Sequence, residues 1–259
     1  MSYRLTDRSA FKAANLENWR TNSAFWLEGR MRHLEDVGDF VRDRILELLG
    51  QREDGLVLDM GCGDAWVLRR LRERADPIRY CGLDFNEAFI TANQEQYRSD
   101  ADASFAVADF ELPIPEDLTG CAEVVVNCFN FFELPGLREG FEFAAGALSP
   151  GGCLLIVTID PIMQMLSITT TREQLDELLH VYERDRDLLA YDKEIDVGGE
   201  HTGRVYKGLM YSAADFAGAA NAVGLSLVGY REVVRTSRRP PQIYQILEFR
   251  KGQPDESPI

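Results

Sequence analysis

Lysine is scarce in this sequence, with only Lys12, Lys193, Lys207 and Lys251 among 259 residues. The 28 basic side chains face 43 acidic ones, leaving a formal charge of −15. Such a chain repels phosphate backbones and anionic headgroups, which argues against nucleic-acid or membrane-surface partners. Long apolar runs are missing too: CLLIV at 153–157 and VVV at 124–126 fall far short of the roughly 18 residues a membrane span needs, so the expectation is a soluble chain. The first twelve residues, MSYRLTDRSAFK, scatter charge and contain no apolar h-region, which points to a cytoplasmic protein. Cys62, Cys81, Cys121, Cys128 and Cys153 form no C-x-x-C pair and sit in or beside apolar runs, as small buried hydrophobes do; no disulfide frame and no metal site are expected.

What is present is a rhythm. The segment 23–49 places apolar residues at 27, 31, 34, 37, 41, 45 and 48, one stripe on a single helix, with Gly50 as its stop. From 56 to 159 the apolar runs LVLDM, RYCGLDF, SFAVADF, AEVVVNCF and GGCLLIVTI alternate with helical stretches near 64–75, 86–98 and 136–148. Strands apolar on both faces and alternating with helices indicate an α/β fold around a parallel sheet covered on both sides. Beyond Asp160 the rhythm breaks. Thr170 with Glu173 reads as a capping box opening a helix to about Ala190, and 191–208 reads as loop or short strands. Ser212 then caps a helix that stops at Gly224, before two final strands, LSLVGY and IYQILEF, that should pair antiparallel at the sheet edge. The tail GQPDESPI reads as disordered.

VLDMGCGDA, at 57–65, is a strand ending in an acidic residue, then two glycines one apart, then a helix. Gly61 and Gly63 allow a tight turn and close approach of backbone to a ligand at a helix amino terminus. A dinucleotide fingerprint would need glycine at 66, where Trp66 stands, so NAD is disfavoured. Asp84 ends the second strand 21 positions after Gly63, placed either to accept from ribose hydroxyls or to cap the following helix. Asp109 and Phe110 close the third strand with an acceptor and a ring suited to a purine, or form a surface turn.

Together these segments resemble the class I S-adenosylmethionine-dependent methyltransferases over roughly residues 55–160. The motifs concerned are VLDMGCGDA, GLDFN, VADFELP, VVVNCFNFFEL and ALSPGGCLLIVTIDP. The resemblance implies S-adenosyl-L-methionine as cofactor. Asp59, Gly61 and Gly63 would hold its methionine part, Asp84 its ribose, Asp109 and Phe110 its adenine, Asn127 would form the wall beside the sulfonium, and Phe85 would be a further cofactor contact. It also implies a Rossmann-like, seven-stranded, mostly parallel sheet with the last strand antiparallel. The expected layout is an N-terminal helical lid at 1–50, a core at 51–160, a lid or substrate insertion at 161–211, the rest of the sheet at 212–250 and a tail at 251–259.

No Asn-Pro-Pro-Tyr motif follows the fourth strand, where Asn127, Cys128, Phe129 and Asn130 stand; with the negative charge, this favours a small-molecule acceptor over a polynucleotide. Methylation at oxygen or nitrogen of a small aromatic or otherwise apolar metabolite is the expected reaction. The alternatives are a non-methylating enzyme on the same scaffold, catalysing decarboxylation, cyclisation or rearrangement, and a binding module without catalysis. Trp19, Trp26, Tyr206 and Tyr211 are candidate substrate contacts, with core packing as the alternative for each. His33 and His180 read as solvated helix positions. His201, in the glycine-flanked loop GGEHTGR, and Glu133, either near the transfer side or capping the helix after Pro135, are the candidate bases. A homodimer is compatible with this reading.

Overall fold

The computed structural model describes residues 7–28, 35–50, 55–74, 78–169, 171–184, 190–197, 200–235 and 242–253. Five parallel strands in a row, β1 (Leu56–Met60), β2 (Arg79–Asp84), β3 (Ala103–Val107), β4 (Ala122–Cys128) and β5 (Leu148–Ile159), make up most of the sheet. Its order is β3-β2-β1-β4-β5-β9-β8, where β8 is Leu225–Arg235 and β9 is Gln242–Lys251. The final strand β9 is antiparallel to both neighbours and lies inside the edge strand β8.

Successive residues of the central strands serve opposite layers, as the period of two requires. Val57, Val124, Val126 and Leu155 pack with Val37, Val41, Ile45, Leu68 and Leu71 from α2 (Glu35–Leu49) and α3 (Trp66–Arg72). Leu58, Val125, Leu154 and Ile156 face Phe141, Ala144 and Phe216 on the other side, from α5 (Leu137–Ala147) and α8 (Ala213–Ala222). Ser212 and Asp215 close a reciprocal capping box at the start of α8, and Gly224 turns the chain into β8 at φ +79°.

Three sequence expectations need correction. The single helix expected over 23–49 is divided: α1 (Arg8–Leu27) ends with Glu28 as its cap, and α2 starts anew at Glu35. The two bury against different partners, since Trp26 of α1 joins Phe89 and Tyr206 while Val37, Val41 and Ile45 of α2 pack under the sheet. The insertion is also more regular than expected. α6 (Pro161–Ile168), capped by Asp160, and α7 (Arg172–Arg184) precede a β-hairpin of β6 (Ala190–Val197) and β7 (Glu200–Leu209), so Ala190 opens a strand rather than ending a helix. The capping pair of α7 is Thr171 with Gln174, whose backbone and side-chain groups bond reciprocally at 3.2 Å; Thr170, like His33 and the tail 254–259, lies outside the described residues. Met165, Leu178, Tyr191 and Met210 give the insertion a small core of its own. Among the described residues no helix is long and apolar enough to cross a membrane, and all five cysteines are free.

Candidate functional site

Because β1 to β4 are parallel, their carboxyl ends meet at one edge of the sheet. The turn after β1 is pinned to the end of β2: Gly61 N and Cys62 N both donate to Leu83 O, at 2.8 and 2.9 Å. Gly61 has φ +82°, and a Cβ there would stand 2.7 Å from Asn130 Cγ, so glycine is required both for conformation and for the approach of the β4 segment. Gly63 N donates to Asp84 Oδ2 at 3.0 Å, while the second Asp84 oxygen accepts from Asn86 N at 2.9 Å. Asn86, not Asp84, is the N-cap of α4 (Glu87–Gln96), which removes the capping alternative for Asp84. Ala65 takes a left-handed φ of 55° at the entry to α3.

The strand tips border a cleft that opens to solvent, with about 190 Å³ of free space. Its floor includes Phe85, Val107 and Asp109, its far wall Asn130 and Glu133, and its roof is α1, which contributes Lys12 and Arg20 among others. Four separate contacts clasp α1 over the cleft. Lys12 Nζ reaches both oxygens of Asp109 at 2.7 and 2.8 Å. Asn15 bonds the backbone of Lys207 on β7 twice, at 2.8 and 3.1 Å. Asn86 Nδ2 donates to Trp19 O at 3.0 Å, and Trp19 Nε1 donates to Glu133 Oε2 at 2.5 Å.

Three carboxyl groups around this edge are held far from their ordinary range. Burial pushes Glu133 up to about 8, against the lowering effect of the Trp19 hydrogen bond and with Asp84 adding repulsion. Asp59 is pushed up to about 7 by burial, although Tyr80 donates to it at 2.6 Å. Asp84 rises to about 6 by burial, opposed by its backbone donors. Buried carboxyls raised by desolvation suit a ligand that brings positive charge and hydroxyl donors. Phe85 and Val107 supply apolar surface for a planar ring beside the Asp109 acceptor.

The sequence-chosen residues fall into three groups. Asp84, Gly61, Gly63, Phe85, Asp109 and Glu133 come together at this edge. Glu133 lies in a tight turn, Phe131–Glu133, and does not cap α5, whose N-cap is Gly136. Asn127 and Phe110 lie here as well, but their side chains are largely committed: the Asn127 amide bonds Met60 O and Phe131 N, and Phe110, 2% exposed, packs edge-to-face on Phe143 at 5.3 Å. Phe110 therefore lends the purine end little ring surface, because its ring fills the core. Among the substrate candidates, Tyr211 lines a second, narrow cavity with Phe132, Tyr191 and Met210, with room for about one water molecule. Trp26 and Tyr206 line neither cavity. They bond each other at 2.7 Å and pack with Phe89, and so seat α1 on the hairpin and α4. His201 stands in β7 opposite Asp196, in a paired strand rather than the expected glycine-flanked loop, and its side chain lies outside those described.

Lys12, Asn15, Val107, Asn130 and Tyr191 were missed by motif reading. The first two carried a signal: 12, 15, 16, 19 and 23 share one helix face, and that face mixes Lys, Asn and Trp rather than running apolar. Tyr191 left none, because its ring lies across Gly208 of the opposite strand, where a Cβ would be 2.4 Å from its hydroxyl oxygen.

Comparison with known proteins bears on the same region. Residues 57–152 match the family described as methyltransferase domain. Over 170 residues the chain is 26% identical to malonyl-acyl-carrier-protein O-methyltransferase of Hahella chejuensis, covering 65% of this chain and 50% of that one. A solved S-adenosylmethionine-dependent methyltransferase from Methanosarcina mazei superposes with a TM-score of 0.60 at 16% identity, over 81% of this chain and 97% of that one. The 4+2 cyclase SpnF superposes at 0.56 and 15% identity, over 83% and 81%. At such identities the structural likeness shows the fold alone. The chain spans half or less of the length of the curated relatives it matches.

Proposed function

We propose that this chain, which belongs to the class I S-adenosylmethionine-dependent methyltransferases, transfers a methyl group to an oxygen or nitrogen of a small, largely apolar metabolite. The observation that carries this is Glu133: a carboxyl raised to about 8 that lines the cleft, next in sequence to Phe132 of the second cavity. A group titrating near neutral pH is suited to accept a proton from a hydroxyl acceptor as the new bond forms. The O-methyltransferase named above supports oxygen as the acceptor.

When bound, S-adenosylmethionine supplies a methyl group already activated on a sulfonium. The chain's residues would then align and shield. The Gly61–Gly63 turn and Asp59 would hold the amino-acid portion, Asp84 and Phe85 the ribose, and Asp109 with Val107 the purine. Asn127 keeps the β4 wall in register through Met60 and Phe131. α1 (within the helical lid 1–50) and the insertion 161–211 act as lids that exclude water and fix the in-line approach. Tyr211 lines the narrow cavity beside Phe132, Trp19 holds the Glu133 carboxyl, and Trp26 and Tyr206 stiffen the lid.

Incubation with labelled S-adenosylmethionine and a panel of phenols, enols and amines tests the proposal. Methylated product with stoichiometric S-adenosylhomocysteine is expected. Cofactor binding with a rearranged or decarboxylated product of no added mass favours the non-methylating alternative, and no cofactor binding removes both.

A further inference from the structure

We propose that Lys12, carried on the roof helix α1, is a specificity-determining residue that reads the purine of the cofactor and couples its recognition to closure of that roof. This rests on the assignment of the cleft to S-adenosylmethionine.

Lys12 Nζ lies 2.7 and 2.8 Å from the two Asp109 oxygens and 2.5 Å from Glu111 Oε2, bridging two carboxylates two residues apart. Glu111 is anchored in turn, since its other oxygen accepts from Gly136 N at 2.5 Å. Gly136 permits that approach, because a Cβ there would stand 2.5 Å from the same Glu111 oxygen. One ammonium thus joins α1, the segment after β3 and the start of α5. Exposed ion pairs stabilise proteins little, and Lys12 and Asp109 keep 40% and 35% of their side-chain surface. The position of the pair matters more than its strength, for both residues line the cleft where the ring would lie.

The edge of adenine presents an N6–H donor beside the N7 acceptor. A carboxylate acceptor beside an ammonium donor matches that pattern. Asp109 Oδ1 already accepts from Lys12 and from Glu111 N, which leaves Oδ2 a lone pair for N6–H; the three Lys12 protons face the two Asp109 oxygens and Glu111 Oε2, so one turns to N7 only as the Asp109 contact narrows to a single oxygen. Hypoxanthine replaces the N6 donor by an acceptor, which would set its oxygen against the Asp109 carboxylate. Lys12 also neutralises part of the repulsion between Asp109 and Glu111. The purine therefore meets a complete recognition surface only with α1 in place, and loss of Lys12 should weaken purine reading and roof closure together.

The test uses the full chain and its Lys12→Met variant, titrated calorimetrically with S-adenosylhomocysteine and S-inosylhomocysteine, with amide hydrogen exchange of residues 8–27 measured with and without ligand. Thermal melting checks that the variant folds; the Asn15, Trp19 and Trp26 contacts remain to seat α1. The wild type should prefer the adenosyl ligand by about tenfold or more, the scale of a hydrogen bond to a charged group. The variant should lose about tenfold in adenosyl affinity, most of the adenosyl preference, and the ligand-dependent protection of α1. Unchanged affinity, preference and protection in a folded variant would overturn the role of Lys12. A wild-type chain that binds neither ligand overturns the cofactor assignment as well.

Discussion

Trp19 of α1 donates its indole N–H to the carboxylate of Glu133, 2.5 Å away and 114 residues later in the chain. The contact joins the roof of the cleft to the turn after β4. It also tunes a titratable group, because burial raises the Glu133 pKa and this hydrogen bond opposes the rise.

Replacing Glu133 by Gln removes the proton acceptor and keeps the shape. With a hydroxyl acceptor, kcat should fall by about 10²- to 10⁴-fold, the usual range for a lost general base, while affinity for S-adenosylhomocysteine stays within about threefold. Steady-state kinetics together with calorimetry check this. A variant with wild-type kcat excludes Glu133 as the base.

Trp19→Phe keeps a ring against Tyr206, now 4.7 Å away between centroids, and removes the N–H. Without that donor the Glu133 carboxylate loses a stabilising partner, so its pKa should rise further. The acidic limb of the kcat/KM profile, where the rate rises as Glu133 loses its proton, should move to higher pH. An unmoved limb would show that the hydrogen bond does not govern this titration.

The raised carboxyls make stability depend on pH in a defined sense. A carboxyl with a higher pKa folded than unfolded binds more protons in the native state, so stability falls as pH rises through the interval between the two values. For Glu133 that interval runs from 4.5 to about 8, and for Asp59 and Asp84 it ends at about 7 and about 6. The melting temperature of the ligand-free chain should therefore be lower at pH 8.5 than at pH 6, with a smaller difference in Glu133→Gln. Melting curves that are flat or rising across this range contradict the assignment.

Gly61→Ala tests the turn after β1. The new Cβ must sit at φ +82° and 2.7 Å from Asn130 Cγ, a strain of about 1–3 kcal/mol. Urea unfolding should report that loss, and S-adenosylhomocysteine affinity should fall with it as the turn shifts. Stability and affinity equal to the wild type would show that the turn adapts freely.

The core was legible because of how it is buried. β1, β4 and β5 have helices on both faces, so they appear as continuous apolar runs, and the tips that such strands bring together follow from their parallel order. Asp84 and Gly63 could be paired in advance on this ground. The hairpin at 190–209 was harder, because its strands mix Tyr and Val with Asp, Lys and Glu and pack on local partners such as Met165 and Leu178. For Trp26 and Tyr206 the sequence leaves ligand contact and core packing open, since a large ring beside a polar handle suits either role. Only their mutual hydrogen bond and burial decide for packing.

The sequence alone determined the α/β sheet, the glycine turn and the acidic strand tips, since each is written in local periodicity or in a backbone conformation that few residues tolerate. The tertiary structure decided what stands over them. Lys12 meets Asp109 from 97 residues away, and Glu133 acquires its raised pKa only because α1 and the β4 turn bury it together. Charge and burial of that kind depend on which distant segments converge, and no local pattern records that.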